Sequence, residues 1–136
     1  MAFKLDHVAV AIRDLDLAVD SFEKKLGLHC ERVEVVPTEK AKVAFFDLGG
    51  AHLELVASTD ASSSIARSIE KRGEGLHHVC LEVENIDSAL ALARVAGLPL
   101  VNETPVPGAG GSRVAFIHPK GLHGVLIELV ERPRKT

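Results

Sequence analysis

Two histidines and two glutamates carry the clearest chemical signal in the chain. His7 stands near the start of Asp6-His7-Val8-Ala9-Val10, and His78 near the start of His77-His78-Val79-Cys80-Leu81. Glu54 and Glu128 each lie between apolar neighbours, in Leu53-Glu54-Leu55 and Ile127-Glu128-Leu129. In a strand such a glutamate points to the face opposite its neighbours. If that face is solvent, the two are ordinary surface acids. If it lines a cavity, an unpaired carboxylate costs several kcal/mol, and a cation removes that cost. Two imidazoles and two carboxylates form a mixed N/O set for a divalent first-row metal, with positions left for water or substrate.

The spacing of these residues follows an internal repeat. His7 and His78 are 71 residues apart, and at the same offset Arg13-Asp14-Leu15-Asp16 meets Glu84-Asn85-Ile86-Asp87. Val43-Ala44-Phe45-Phe46 likewise meets Val114-Ala115-Phe116-Ile117. The last blocks, Leu53-Glu54-Leu55-Val56 and Ile127-Glu128-Leu129-Val130, match at an offset of 74. Four blocks in one order indicate a duplicated module. Two modules packed about a pseudo-twofold axis would bring the two histidines and two glutamates to one point. The matched offset also selects His78 over His77.

Each half reads as a strand, a helix and three strands. Asp14 caps a first helix with an apolar stripe of Leu15, Val19, Phe22 and Leu26 and a stop at Gly27. Asn85 caps its counterpart, with Ile86, Leu90 and Ala93 as stripe and Gly97 as stop. Strands are expected near residues 33–36, 42–48 and 51–56, with partners near 98–103, 113–117 and 124–130; Gly49-Gly50 marks a hairpin. A helix near 62–72, capped by Ser63 or Ser64, links the copies. Pro105, Pro107, Gly108, Gly110 and Gly111 predict a loop without helix or strand. The expectation is one domain over 1–136, built from repeats at about 5–57 and 76–131.

Composition narrows the function classes. Only five aromatics, a net charge of −3 and the absence of a basic run argue against nucleic acid as partner. No stretch is long and apolar enough for a membrane span, and the strand pattern starts by Leu5, leaving little room for a leader. Cys30 and Cys80 lack metal or redox spacing. A cytoplasmic protein is expected.

On these residues the sequence resembles the vicinal oxygen chelate superfamily, the glyoxalase, bleomycin-resistance and dioxygenase group. Gly73-Glu74-Gly75-Leu76-His77-His78, Gly108-Ala109-Gly110-Gly111 and Phe116-Ile117-His118-Pro119-Lys120 are similar to the methylmalonyl-CoA epimerases within it. The resemblance implies an α+β fold, two tandem βαβββ modules forming a cupped, barrel-like mixed sheet around a metal. It implies His7, Glu54, His78 and Glu128 as ligands of one divalent ion, cobalt or manganese before zinc, nickel or magnesium. It also implies a homodimer and an acyl-CoA substrate. Some relatives carry glutamine where this chain has Glu54.

The implied reaction interconverts the epimers of methylmalonyl-CoA by removal and return of the C2 proton through a metal-stabilised enolate. An ordinary glutamate, pKa about 4.3, is a weak base toward carbon. A Lewis acid that lowers a bound water's pKa from about 15.7 to about 7 contributes roughly 12 kcal/mol, and a fraction of that makes proton abstraction feasible. Glu128 is the catalytic residue the resemblance implies. Some relatives place a second glutamate at what aligns as Ala44, which transfers no proton; a water, His52 or another residue takes that role. His52 shares the strand face of Glu54, lining the cavity or lying at the surface. His118, Lys120 and Arg113 meet coenzyme A phosphates or shape turns. The alternatives are a glyoxalase-type isomerase and a metal-free small-molecule binder.

Overall fold

The computed structural model describes residues 2–134, which group into two compact units. One spans His7–His77; the other joins the chain up to Asp6 to the chain from His78 onward. Each unit carries the strand, helix and three strands expected of one repeat.

In the first, β1 (Lys4–Ala11, of which the part from His7 belongs here) leads to α1 (Leu15–Lys24), then β2 (Cys30–Val36), β3 (Ala41–Asp47) and β4 (His52–Ser58). The strand order is β2-β3-β4-β1, with β1 parallel to β4 and the other pairs antiparallel. Asp14 caps α1 by accepting from the Leu17 amide at 3.1 Å. The Leu28 amide closes the helix on the Phe22 carbonyl as Gly27 turns at φ 84°. Leu15, Ala44, Phe46 and Leu55 pack between sheet and helix. Leu26 departs from the expected stripe: the helix stops at Lys24, so Leu26 lies in the turn, exposed. The linking helix, α2 (Ser64–Arg72), is capped by Ser63, whose hydroxyl accepts from the Ala66 amide at 3.0 Å.

The second unit repeats the plan with β5 (Gly75–Glu82, from His78), α3 (Ile86–Val95), β6 (Val106–Pro107), β7 (Arg113–Ile117) and β8 (Ile127–Glu131), in the order β5-β8-β7-β6. Ile86, Ala89, Leu90 and Ala93 of α3 pack with Ala115, Ile117 and Leu129. The N-terminal segment joins this unit through Arg132, which grips the buried Asp6 carboxylate at 2.7 and 3.2 Å. No helix of the described residues is long and apolar enough to cross a membrane.

The expected strand near 98–103 is not formed. Only the bridge Leu100–Ile117 remains there, because the Asn102 side chain takes the Phe116 amide at 2.8 Å in place of a backbone carbonyl. The short strand lies instead at Val106–Pro107, inside the stretch expected to be pure loop. At the edge of its sheet Pro107 needs no amide donor. β8 likewise starts at Ile127 rather than near 124, since His123 and Gly124 both turn at positive φ.

Candidate metal centre

Register places the four candidate ligands in two matching pairs. In the first unit Ala9 lies beside Glu54 on parallel strands, and Phe45 lies opposite Glu54 on antiparallel ones. Neighbours across strands share a face, and residues two apart along a strand do too. One face therefore carries His7, His52, Glu54, Val43 and Phe45, and the other carries the α1 core. The His7 imidazole Nδ1 meets Glu54 Oε2 at 2.9 Å, with both residues buried. The Phe45 ring meets the His52 ring edge-on at 6.4 Å.

The second unit reproduces this from its own strands. His78 Nε2 meets Glu128 Oε1 at 2.9 Å, and Glu128 is 3% exposed. Phe116 lies opposite Glu128 and packs its ring edge-on against His78 at 5.2 Å. Cys80, Val114 and Val130 form an apolar floor on that face. His77 is buried as well, but His78 is the histidine that meets the glutamate.

The glutamates thus occupy the buried face, where a carboxylate needs a partner. Each pair supplies one imidazole nitrogen and carboxylate oxygens, borderline and hard donors suited to a divalent first-row ion. The Nδ1 of His52, on the Glu54 face, is buried with no protein hydrogen-bond partner, so this face retains polar capacity for a bound group. The donor set fits a metal. Phe45 and Phe116, 71 residues apart, were not singled out as site residues; their matched position opposite the two glutamates was the available signal.

Ala44 requires a correction. It was aligned with a proton-carrying glutamate of relatives, yet it pairs with Leu55 and is fully buried among Leu15, Phe46 and Leu55. A residue working beside Glu54 must stand at Val43 or Phe45. A one-residue slip in a strand reverses the face. Ala44→Glu should therefore push an unpaired carboxylate into the α1 core. A cost of several kcal/mol is a large part of a domain's stability, and thermal denaturation should fall by about 10 °C or more; an unchanged melt would put residue 44 on the other face.

The remaining candidates take structural positions. Arg113 binds Asp87 at 3.1 Å and Glu131 at 3.3 Å, and the Asp87 carboxylate holds its pKa above the ordinary arginine value. His118 Nδ1 accepts from the Lys120 amide at 3.0 Å and shapes the turn there.

The Glyoxalase/Bleomycin resistance protein/Dioxygenase superfamily matches residues 6–116. The chain belongs to that superfamily. It is 35% identical to the human mitochondrial methylmalonyl-CoA epimerase, over 93% of this chain and 72% of that protein. It is also 35% identical to an ethylmalonyl-CoA/methylmalonyl-CoA epimerase of Cereibacter sphaeroides, over 95% of this chain and 98% of that protein. Among solved structures, the methylmalonyl-CoA epimerase of Mycobacterium tuberculosis aligns with a TM-score of 0.90 at 37% identity, covering 96% of this chain and 88% of that one. The resemblance to these epimerases and the two-module βαβββ fold class expected from the sequence are both borne out.

Proposed function

We propose that this chain interconverts the epimers of methylmalonyl-CoA, using His7, Glu54, His78 and Glu128 to hold one divalent cation. The observation that carries this reading is the repeated pair, His7 with Glu54 and His78 with Glu128, each at 2.9 Å and buried. Relatives named for this activity match nearly the whole chain.

A divalent ion supplies Lewis-acid polarisation of the thioester carbonyl, which acidifies the neighbouring carbon; cobalt or manganese is the expected metal. Glu128 takes or returns the C2 proton at its carboxylate oxygen. Phe116 and the apolar floor of Cys80, Val114 and Val130 keep water from that carboxylate. His7 and His78 act as neutral imidazole donors, and Glu54 offsets the cation's charge. Return of the proton to the opposite face needs a second carrier. Ala44 is excluded by chemistry and by orientation, whereas His52 stands on the Glu54 face.

Deuterium incorporation at C2 of methylmalonyl-CoA in heavy water, with cobalt or manganese present, tests the reading. The expected result is rapid exchange and no turnover of a methylglyoxal–glutathione control. Turnover of the control alone indicates a glyoxalase-type isomerase; no exchange and no bound metal indicate a binding protein.

A further inference from the structure

A one-residue bulge in β2 decides which way Arg32 points. Cys30 pairs with Phe46 but Arg32 pairs with Phe45, so Glu31 is the extra residue. In an unbroken ladder Arg32 would lie opposite Ala44, on the α1 side. With the bulge, Cys30 packs toward that core while Arg32 stands on the Glu54 face. Bulges beside sites commonly re-aim a side chain in this way. The guanidinium carbon lies 3.9 Å from the centroid of the Phe45 ring, and Phe45 is itself buried and directly opposite Glu54. The nearest charged partner, Glu34 Oε1, is 3.6 Å from Nη2, beyond hydrogen-bond length. The Arg32 side chain is 47% exposed, so its donors are held over a fixed ring and open to solvent.

We propose that Arg32 is a substrate-binding residue that takes an anionic oxygen group of the acyl-CoA by charge-assisted hydrogen bonds. The assignment rests on the acyl-CoA reading above. Such a thioester offers two groups of this chemistry, the acyl carboxylate and the coenzyme phosphates, and a planar guanidinium fork matches either. Lysine would keep the charge and lose the fork and the stack.

Calorimetric titration of wild type, Arg32→Gln and Arg32→Lys with methylmalonyl-CoA and with methylmalonyl-pantetheine, which has no phosphates, tests this. Arg32→Gln should weaken methylmalonyl-CoA binding by about 10-fold or more, the usual effect of losing a hydrogen bond to a charged group. Arg32→Lys should recover part of it. Metal content and melting temperature should stay at wild-type values, and in turnover KM should rise more than kcat falls. A loss that persists with the pantetheine ester assigns the carboxylate; a loss confined to the coenzyme A ester assigns the phosphates. Equal affinity of wild type and Arg32→Gln for methylmalonyl-CoA overturns the role of Arg32 and leaves the epimerase reading intact. Failure of the wild type to bind either thioester overturns both.

Discussion

Glu128→Gln should reduce exchange of the C2 proton of methylmalonyl-CoA at least about 100-fold, the lower end of what a positioned acid–base group contributes. The substitution preserves shape. The amide oxygen can still accept from His78 Nε2 across the present 2.9 Å, and Phe116 keeps its place against the imidazole. What disappears is the negative charge and the capacity to carry a proton. Melting temperature should therefore change by a few degrees at most, separating a chemical defect from a folding one. Because Glu128 is also proposed as a ligand, metal content must be measured on the same sample. A metal-loaded Gln variant that stays inactive assigns proton transfer to Glu128. Recovery of exchange on adding excess cobalt or manganese would reduce Glu128 to a ligand, and near-normal exchange without any addition would remove it from the mechanism.

The pairs themselves were legible because identical residue types recur at a fixed offset. His7 and His78, Glu54 and Glu128, and the caps Asp14 and Asn85 each had a counterpart to check against. The helix boundaries show how well this works: α1 over Leu15–Lys24 and α3 over Ile86–Val95 are equal in length and 71 residues apart. What the sequence hid was phase. In β2 the apolar Val33 and Val35 are 47% and 54% exposed, while the charged Arg32 and Glu34 lie on the site face. An edge strand with polar residues turned inward reads from sequence as its own reverse, and the bulge at Glu31 leaves no compositional mark. Ala44 was misjudged for the same reason, one residue of register being one face. The strand at Val106–Pro107 was hidden by its proline, which usually signals a loop and is tolerated here only at a sheet edge. Burial of the two glutamates was the one point on which sequence left two readings, and the structure decides it for the inward face.

Removing the metal should affect both activity and stability, and the size of the stability change tests the ligand set independently of turnover. Glu54 and Glu128 are buried acids that each meet an imidazole, and a divalent ion offsets their charge far better than a neutral ring does. An ion present at a thousand times its Kd stabilises a protein by about 4 kcal/mol. For a chain of 136 residues that corresponds to about 10–15 °C in melting temperature. Chelator treatment should lower the melting temperature by that order and bring C2 exchange to background, and cobalt or manganese should restore both. Stoichiometry then distinguishes two arrangements: one equivalent of ion per chain if the two pairs share it, two equivalents if each pair holds its own. Glu54→Gln refines the result, because glutamine keeps an oxygen donor while removing one negative charge. If both pairs serve one ion, Glu54→Gln should weaken binding while keeping one equivalent per chain, and His78→Ala should weaken the same binding event. A melting temperature and an exchange rate both indifferent to chelation would rule out the metal and return the buried glutamates to a purely structural role.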